Sequence, residues 1–226
     1  MATPRTAAHA SAPGLRQLTT PRAAAVAGVL FAVLFGATII LIRLKMPEGV
    51  GDSTTWATTR AGSISIAAKL MPFAGITFLW FIGVVRDNLG QYEDRFFSSV
   101  LVGSGLLFLA MTFCSTAIAA GLLAMPGGAS DAAARAAVSS FGTAMVASTC
   151  KTYAVRMAAV FMVSLATIWL RTGLMPRWLV GTSYAVAIGL LVAGEVSMWL
   201  TLAFPAWVLV VSVLILVRSG ALDDHR

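Results

Sequence analysis

Charge is scarce in this sequence. Only 11% of its side chains are charged, against 58% hydrophobic. A soluble domain carries roughly a quarter charged residues, so this chain has too little charge to cover a water-facing surface. Hydrocarbon is the solvent that suits the composition. Acid is scarcer than base, with nine Asp and Glu, sixteen Lys and Arg, and a formal net charge of +7. The cations are scattered between apolar runs, form no basic stripe and accompany no zinc-finger or RNA-reading motif, which argues against a nucleic-acid partner. They read as the flanks of membrane spans.

Histidine is nearly missing: His9 and His225 sit in the terminal tails. That removes bis-His haem, intramembrane His-based metal sites and Ser-His dyads. The two cysteines, Cys114 and Cys150, form no CxxC and indicate neither a metal framework nor a disulfide scaffold. A single bridge between them stays open, because connectivity is not readable from sequence. Walker, GxGxxG, HExxH and Asp-rich lipid-transferase motifs are absent. Glu195 is the only acid near membrane depth, so the spaced acids usual in proton-coupled pumps are missing too. Gly103-Ser104-Gly105 is similar to an intramembrane serine-protease motif, but the motif's preceding glycine is absent and no histidine is there to act as base. It reads as packing. No catalytic residue, metal or cofactor is assigned, and the balance leans away from an enzyme.

What is there is a series of long apolar runs. A helix needs roughly 20 apolar residues to cross the hydrocarbon core. The qualifying runs are Ala23–Ile42, Ile66–Val85, Phe96–Ala117 (apolar to Ala124), Lys151–Leu170, Trp178–Gly194 and Val196–Val217. The expected fold is therefore all-α, a polytopic membrane bundle of about six helices over residues 23–217. Residues 1–22 form a disordered cytoplasmic tail and 218–226 a short C-terminal one. The last two runs share a stretch without a basic charge and are divided into a hairpin, turning at Glu195–Ser197 or near Pro205. Residues 131–150 are Ala/Ser/Thr-rich and too long simply to extend the fourth span; an interfacial helix is one reading.

Cations follow the ends of spans at Arg43, Lys45, Arg86, Arg171 and Arg218, while Glu93 and Asp94 precede the third, as helix dipoles favour. With the N-terminus inside, nine Lys and Arg fall on the cytoplasmic side and seven on the other. The bias is weak, but Lys151 and Arg156 fall at membrane depth and not in a loop, which sharpens it. Both termini are therefore placed in the cytoplasm. Arg86-x-x-Leu89 then Arg95-Phe96 is similar to Arg171-x-x-Leu174 then Arg177-Trp178. Duplication of a hairpin explains this, and so does the general need for Arg and aromatic residues at a membrane rim.

Two features stand out. Ala24, Gly28, Ala32 and Gly36 recur at every fourth position, as do Gly181, Ala185, Gly189 and Ala193. Each set lies on one helix face, where small side chains let two backbones approach, within the chain or between chains. The second feature is a charge pair. Charges at membrane depth face inward and find partners. Counting outward from the turn near Arg171 and Trp178 brings Glu195 between Arg156 and Lys151 in depth, within about 3 Å at ~1.5 Å per residue. Glu195 is expected to pair with Arg156, or else with Lys151, as a clamp or within a polar cavity shared by Tyr153, Ser197, Thr201 and Lys69. The alternative is a water-facing Glu195 with both cations snorkelling.

The segment Phe78-Leu-Trp-Phe-Ile-Gly-Val-Val-Arg-Asp87, with Glu93-Asp-Arg-Phe-Phe97 and Gly103-Ser-Gly-Leu-Leu-Phe108, resembles a stretch of uncharacterised bacterial inner-membrane proteins. The resemblance implies a bacterial inner-membrane location and no activity. The expected function is that of a non-enzymatic accessory or scaffold protein, with the lipid bilayer and itself or another membrane protein as partners. The alternative is a small-solute channel or transporter with its cavity near Arg156 and Glu195.

Overall fold

The computed structural model describes residues 21–43, 61–89, 95–124, 132–194 and 198–223. Their helices are α1 (Pro21–Arg43), α2 (Ala61–Leu89), α3 (Arg95–Leu123), α4 (Ala132–Ser148), α5 (Val155–Thr172), α6 (Arg177–Ala193) and α7 (Ala203–Asp223). A π-helical segment, Thr149–Ala154, joins α4 to α5, and a 3-10 turn, Met198–Leu202, leads into α7. The fold is an all-α bundle. Five helical runs are long and apolar enough to cross a membrane: Arg22–Ile42, Gly62–Arg86, Phe96–Leu123, Ala133–Thr172 and Trp199–Arg218. The shorter Arg177–Ala193 makes a sixth apolar helix. This is the architecture of a multi-pass membrane protein.

One sequence expectation needs correction. Residues 132–150 do extend the fourth span, because a single helical run continues from Ala132 through the π segment to Thr172. The reason is local. After Gly142 nothing in the sequence breaks a helix until Gly173, and the residues bounding the π segment, Ser148 and Val155, keep right-handed helical backbone. The ladder therefore widens for one turn without stopping.

The other ends have ordinary causes. Gly173 takes the left-handed conformation, φ 67°, and donates its N–H to the Trp169 carbonyl at 2.9 Å, closing α5. Extended Pro176 then starts α6, its carbonyl accepting from the N–H of Leu179 at 3.0 Å. Helix α6 ends at Ala193 and helical structure is described again from Met198; the expected turn at Glu195–Ser197 lies outside the described residues. Pro205 occupies the first turn of α7. The tail expected over residues 1–22 lies outside the described residues except for Pro21 and Arg22, which open α1.

Five of the helices contribute rings to one central cluster. Phe31 and Phe35 come from α1, Phe78 and Phe81 from α2, Phe108 from α3, Phe161 and Trp169 from α5, and Phe204 and Trp207 from α7. Ring centroids lie 4.5 Å apart for Phe31–Phe78, 4.7 Å for Phe108–Phe204 and 5.4 Å for Phe78–Phe161. Lipid tails are as apolar as these rings, so burial from water does not hold the helices together; close van der Waals packing does. Aromatic pairs at such separations contribute about 0.5–1.5 kcal/mol each beyond area. Helix α1 comes close enough to join them because residue 28 is glycine. A Cβ there would overlap the Ser212 hydroxyl of α7 and lie 2.9 Å from the Phe81 ring of α2.

Contacts between helix ends give the bundle a polarity. The Arg171 guanidinium lies 4.8 Å over the Phe97 ring, so the end of α5 is level with the start of α3. Arg218 at the end of α7 donates to the Leu174 carbonyl at 2.8 Å. Gly28, Phe81 and Ser212 meet five or six residues inside Arg22, Arg86 and Arg218. Arg22, Arg86, Arg171, Arg177 and Arg218 therefore share one end, here termed the arginine end.

Candidate functional site at the π turn

The chemistry-bearing residues of interest cluster at the opposite end, around the π segment. Its sequence is Thr149-Cys-Lys-Thr-Tyr-Ala154, followed one residue later by Arg156. A π turn leaves backbone carbonyls without their regular helical donors, and such turns recur at functional sites. Here the Arg156 guanidinium donates to the Thr152 carbonyl at 2.8 Å. Arg156 and Lys151 are half-buried, and Tyr153 is exposed. Thr201, in the 3-10 turn, is buried, whereas Lys69 is exposed on α2.

Glu195 and Ser197 lie outside the described residues, so the expected Glu195–Arg156 pair falls there too. The preceding residue is described. A Cβ on Gly194 would stand 3.0 Å from Val155 Cγ1 and 3.6 Å from the Lys151 carbonyl oxygen. The end of α6 thus abuts the π turn at the level of residues 151 to 155.

Two crevices open beside this turn and share Thr112 and Cys150 in their walls. One runs past Ile39, Met71 and Val146, the other past Phe35, Leu190 and Thr201. Three of their hydroxyls are turned onto backbone. Thr112 donates to the Leu109 carbonyl at 2.9 Å, Thr116 to the Thr112 carbonyl, and Ser115 to the Val146 carbonyl at 3.2 Å, across to α4. The crevices therefore present mainly apolar walls. Neither cysteine is in a disulfide; Cys150 is buried and Cys114 exposed. Among the described residues no cluster of His, Cys, Asp and Glu is arranged to hold a metal. Ser104, centre of the Gly-Ser-Gly run, donates to the Val100 carbonyl at 2.7 Å, within its own helix.

The two small-residue stripes occupy different surroundings. On α1, Ala24, Gly28 and Ala32 are buried within the bundle and Gly36 is half-buried. On α6, Gly181, Ala185 and Gly189 are exposed and Ala193 is half-buried. Helix α6 buries another edge, Leu179, Val180, Ser183, Ala187 and Leu190.

Sequence reasoning overlooked the polar links that hold α6. Thr167 of α5 and Tyr184 share a hydrogen bond at 2.7 Å, and Trp207 of α7 donates its indole N–H to Ser183 at 2.8 Å. The signal was a polar group in the middle of an apolar span, which seeks a partner on a neighbouring helix.

Comparisons decide no family. Protein-family models, curated proteins and solved structures all give no match. The resemblance to bacterial inner-membrane proteins rests on its quoted residues alone.

Proposed function

We propose that this chain is a non-enzymatic accessory or scaffold protein of the bacterial inner membrane, associating through α6 with itself or with another membrane protein. The observation that carries this reading is the contrast between the two stripes. The α1 stripe is largely covered by neighbouring helices, whereas α6 turns Gly181, Ala185 and Gly189 outward. Exposed small residues at every fourth position allow a second helix to approach closely. The aromatic core, whose rings interlock across five helices, suits a rigid body better than a conduit. The gathering of arginines at one end supports placing that end, with both termini, in the cytoplasm.

Cysteine cross-linking in native membranes tests the association. With Cys114 and Cys150 replaced, Ala185→Cys and Gly189→Cys are expected to give a covalent adduct under mild oxidation or with a short bifunctional reagent, and Ile76→Cys on α2 none. Absence of any adduct at α6, with Gly189→Leu leaving the size of the detergent-extracted particle unchanged, overturns the reading.

The transport reading rests on Arg156 and Glu195, although Arg156 lines neither crevice. It predicts a solute flux lost in Glu195→Gln; unchanged flux in that variant removes it.

A further inference from the structure

Three arginines from three helices gather at the short turn between α5 and α6. Arg171 stands in the last turn of α5, Arg177 opens α6, and Arg218 reaches the turn from near the end of α7. All three side chains are exposed. Two contacts fix the arrangement. Arg218 Nη1 donates to the Leu174 carbonyl at 2.8 Å and lies 3.8 Å from Met175 Sδ. The Arg171 guanidinium lies over the Phe97 ring of α3, 4.8 Å from its centroid. Arg177 follows Met175 by two residues, so the turn sets it close to the head of Arg218. A guanidinium carries five N–H groups in a planar fork. Both contacts of Arg218 use one nitrogen, and the rest of the fork suits an anion.

Charge is the second observation. Helices α5 and α6 hold no Asp or Glu, and α7 holds only Asp223, its last residue. The three cations thus outnumber the acid of their own helices. Like charges this close repel, and an anion shared between them relieves the repulsion.

The surroundings say which anion. Leu174, Trp178 and Val217 are exposed beside these arginines. Exposed Trp marks the headgroup level of a membrane protein. Guanidinium groups next to exposed apolar side chains match the two parts of a phospholipid, its phosphodiester and its acyl chains. A free phosphate has no use for the apolar part.

We infer that Arg177 and Arg218, with Arg171 beside them, hold the phosphodiester of an anionic phospholipid in the leaflet at the arginine end, its acyl chains laid along Trp178 and Val217. Basic sites between membrane helices recognise anionic headgroups in this way. Arginine suits the task because its fork donates to two phosphate oxygens at once. The bound headgroup bridges the start of α6 and the end of α7, which reinforces the attachment of a peripheral helix. The inference depends neither on association through α6 nor on which side of the membrane the arginine end faces.

Native mass spectrometry of the full chain, released from neutral detergent, counts bound lipids directly. The probes are phosphatidylglycerol and phosphatidylcholine with identical acyl chains. The first phosphatidylglycerol is expected to bind at least about fivefold more tightly than phosphatidylcholine, the gain that one arginine gives at an anionic surface. Arg177→Gln with Arg218→Gln should abolish that preference. Arg22→Gln with Arg86→Gln, which removes the same charge from the same end, should keep it. Equal loss in the two pairs means diffuse attraction to the whole end and overturns the inference. Undiminished preference without Arg177 and Arg218 overturns it too. Displacement of the lipid by inorganic phosphate means a site for a free anion, and the lipid assignment falls. Arg177→Gln alone leaves the Arg218–Leu174 hydrogen bond in place and guards against a misfolded double variant; it should lose part of the preference, and full retention counts against the site.

Discussion

Trp207 donates its indole N–H to the Ser183 hydroxyl at 2.8 Å, and Ser183 in turn donates to the Leu179 carbonyl at 2.7 Å. Both residues are buried, and the link ties the peripheral α6 to α7 inside the bundle. In hydrocarbon an orphaned N–H has no water to turn to. Interhelical hydrogen bonds in membranes are nevertheless modest, averaging about 0.6 kcal/mol, because the unfolded chain in lipid also finds partners. Ser183→Ala is expected to lower stability by about 1 kcal/mol, since it strands the indole. Adding Trp207→Phe to Ser183→Ala is expected to cost little beyond its packing change, so a double-mutant cycle read by SDS unfolding should give a coupling near half to one kcal/mol, about as large as the bond itself.

Gly28 and Gly189 belong to stripes that look alike in sequence, yet their substitution should have opposite consequences. Gly28→Val forces methyl groups into the Ser212 hydroxyl and the Phe81 ring. Overpacking of this kind costs about 1–3 kcal/mol, and the bundle is expected to unfold at measurably lower SDS fraction. Nothing lies within 4 Å of a Cβ on Gly189. Gly189→Val should therefore leave unfolding unchanged while weakening cross-linking through α6. Equal destabilisation by both variants would mean that the two stripes serve the fold alike.

How much was legible beforehand follows from where the information sits. Hydrophobic run length is local, so the all-α class and the approximate number of spans were readable. The continuity of residues 132–172 was not, because Ala, Ser and Thr suit a helix and a polar linker equally well and no residue signals a π turn. The α1 and α6 stripes show the same limit. Periodicity reveals that small residues share a face, but which face a neighbour covers depends on contacts distant in sequence, such as Gly28 with Ser212. The partners of Ser183 and Tyr184 escaped for that reason as well.

Orientation has its own test. Leu174, in the turn between α5 and α6, is exposed at the arginine end, and Trp199 is exposed toward the other. With the native cysteines replaced, Leu174→Cys is expected to react with a membrane-impermeant maleimide only in inverted vesicles, and Trp199→Cys only in intact spheroplasts. The reverse pattern would place the arginine end outside, against the charge bias.

Arg156 is the residue whose replacement separates a structural role from a paired one. Its guanidinium satisfies the Thr152 carbonyl at 2.8 Å. Arg156→Ala removes that donor at a depth where lipid offers none, and a loss of about 1–3 kcal/mol in SDS unfolding is expected. Arg156→Lys, shorter and without the planar fork, should recover only part of it. Glu195→Gln decides whether an acid shares the site. A carboxylate paired with Arg156 predicts that the Glu195→Gln loss shrinks once Arg156 is already Ala, because the coupling has gone. If the two losses simply add, Arg156 serves the backbone of the π turn and Glu195 meets water, and the clamp and cavity readings of this charge pair fall together.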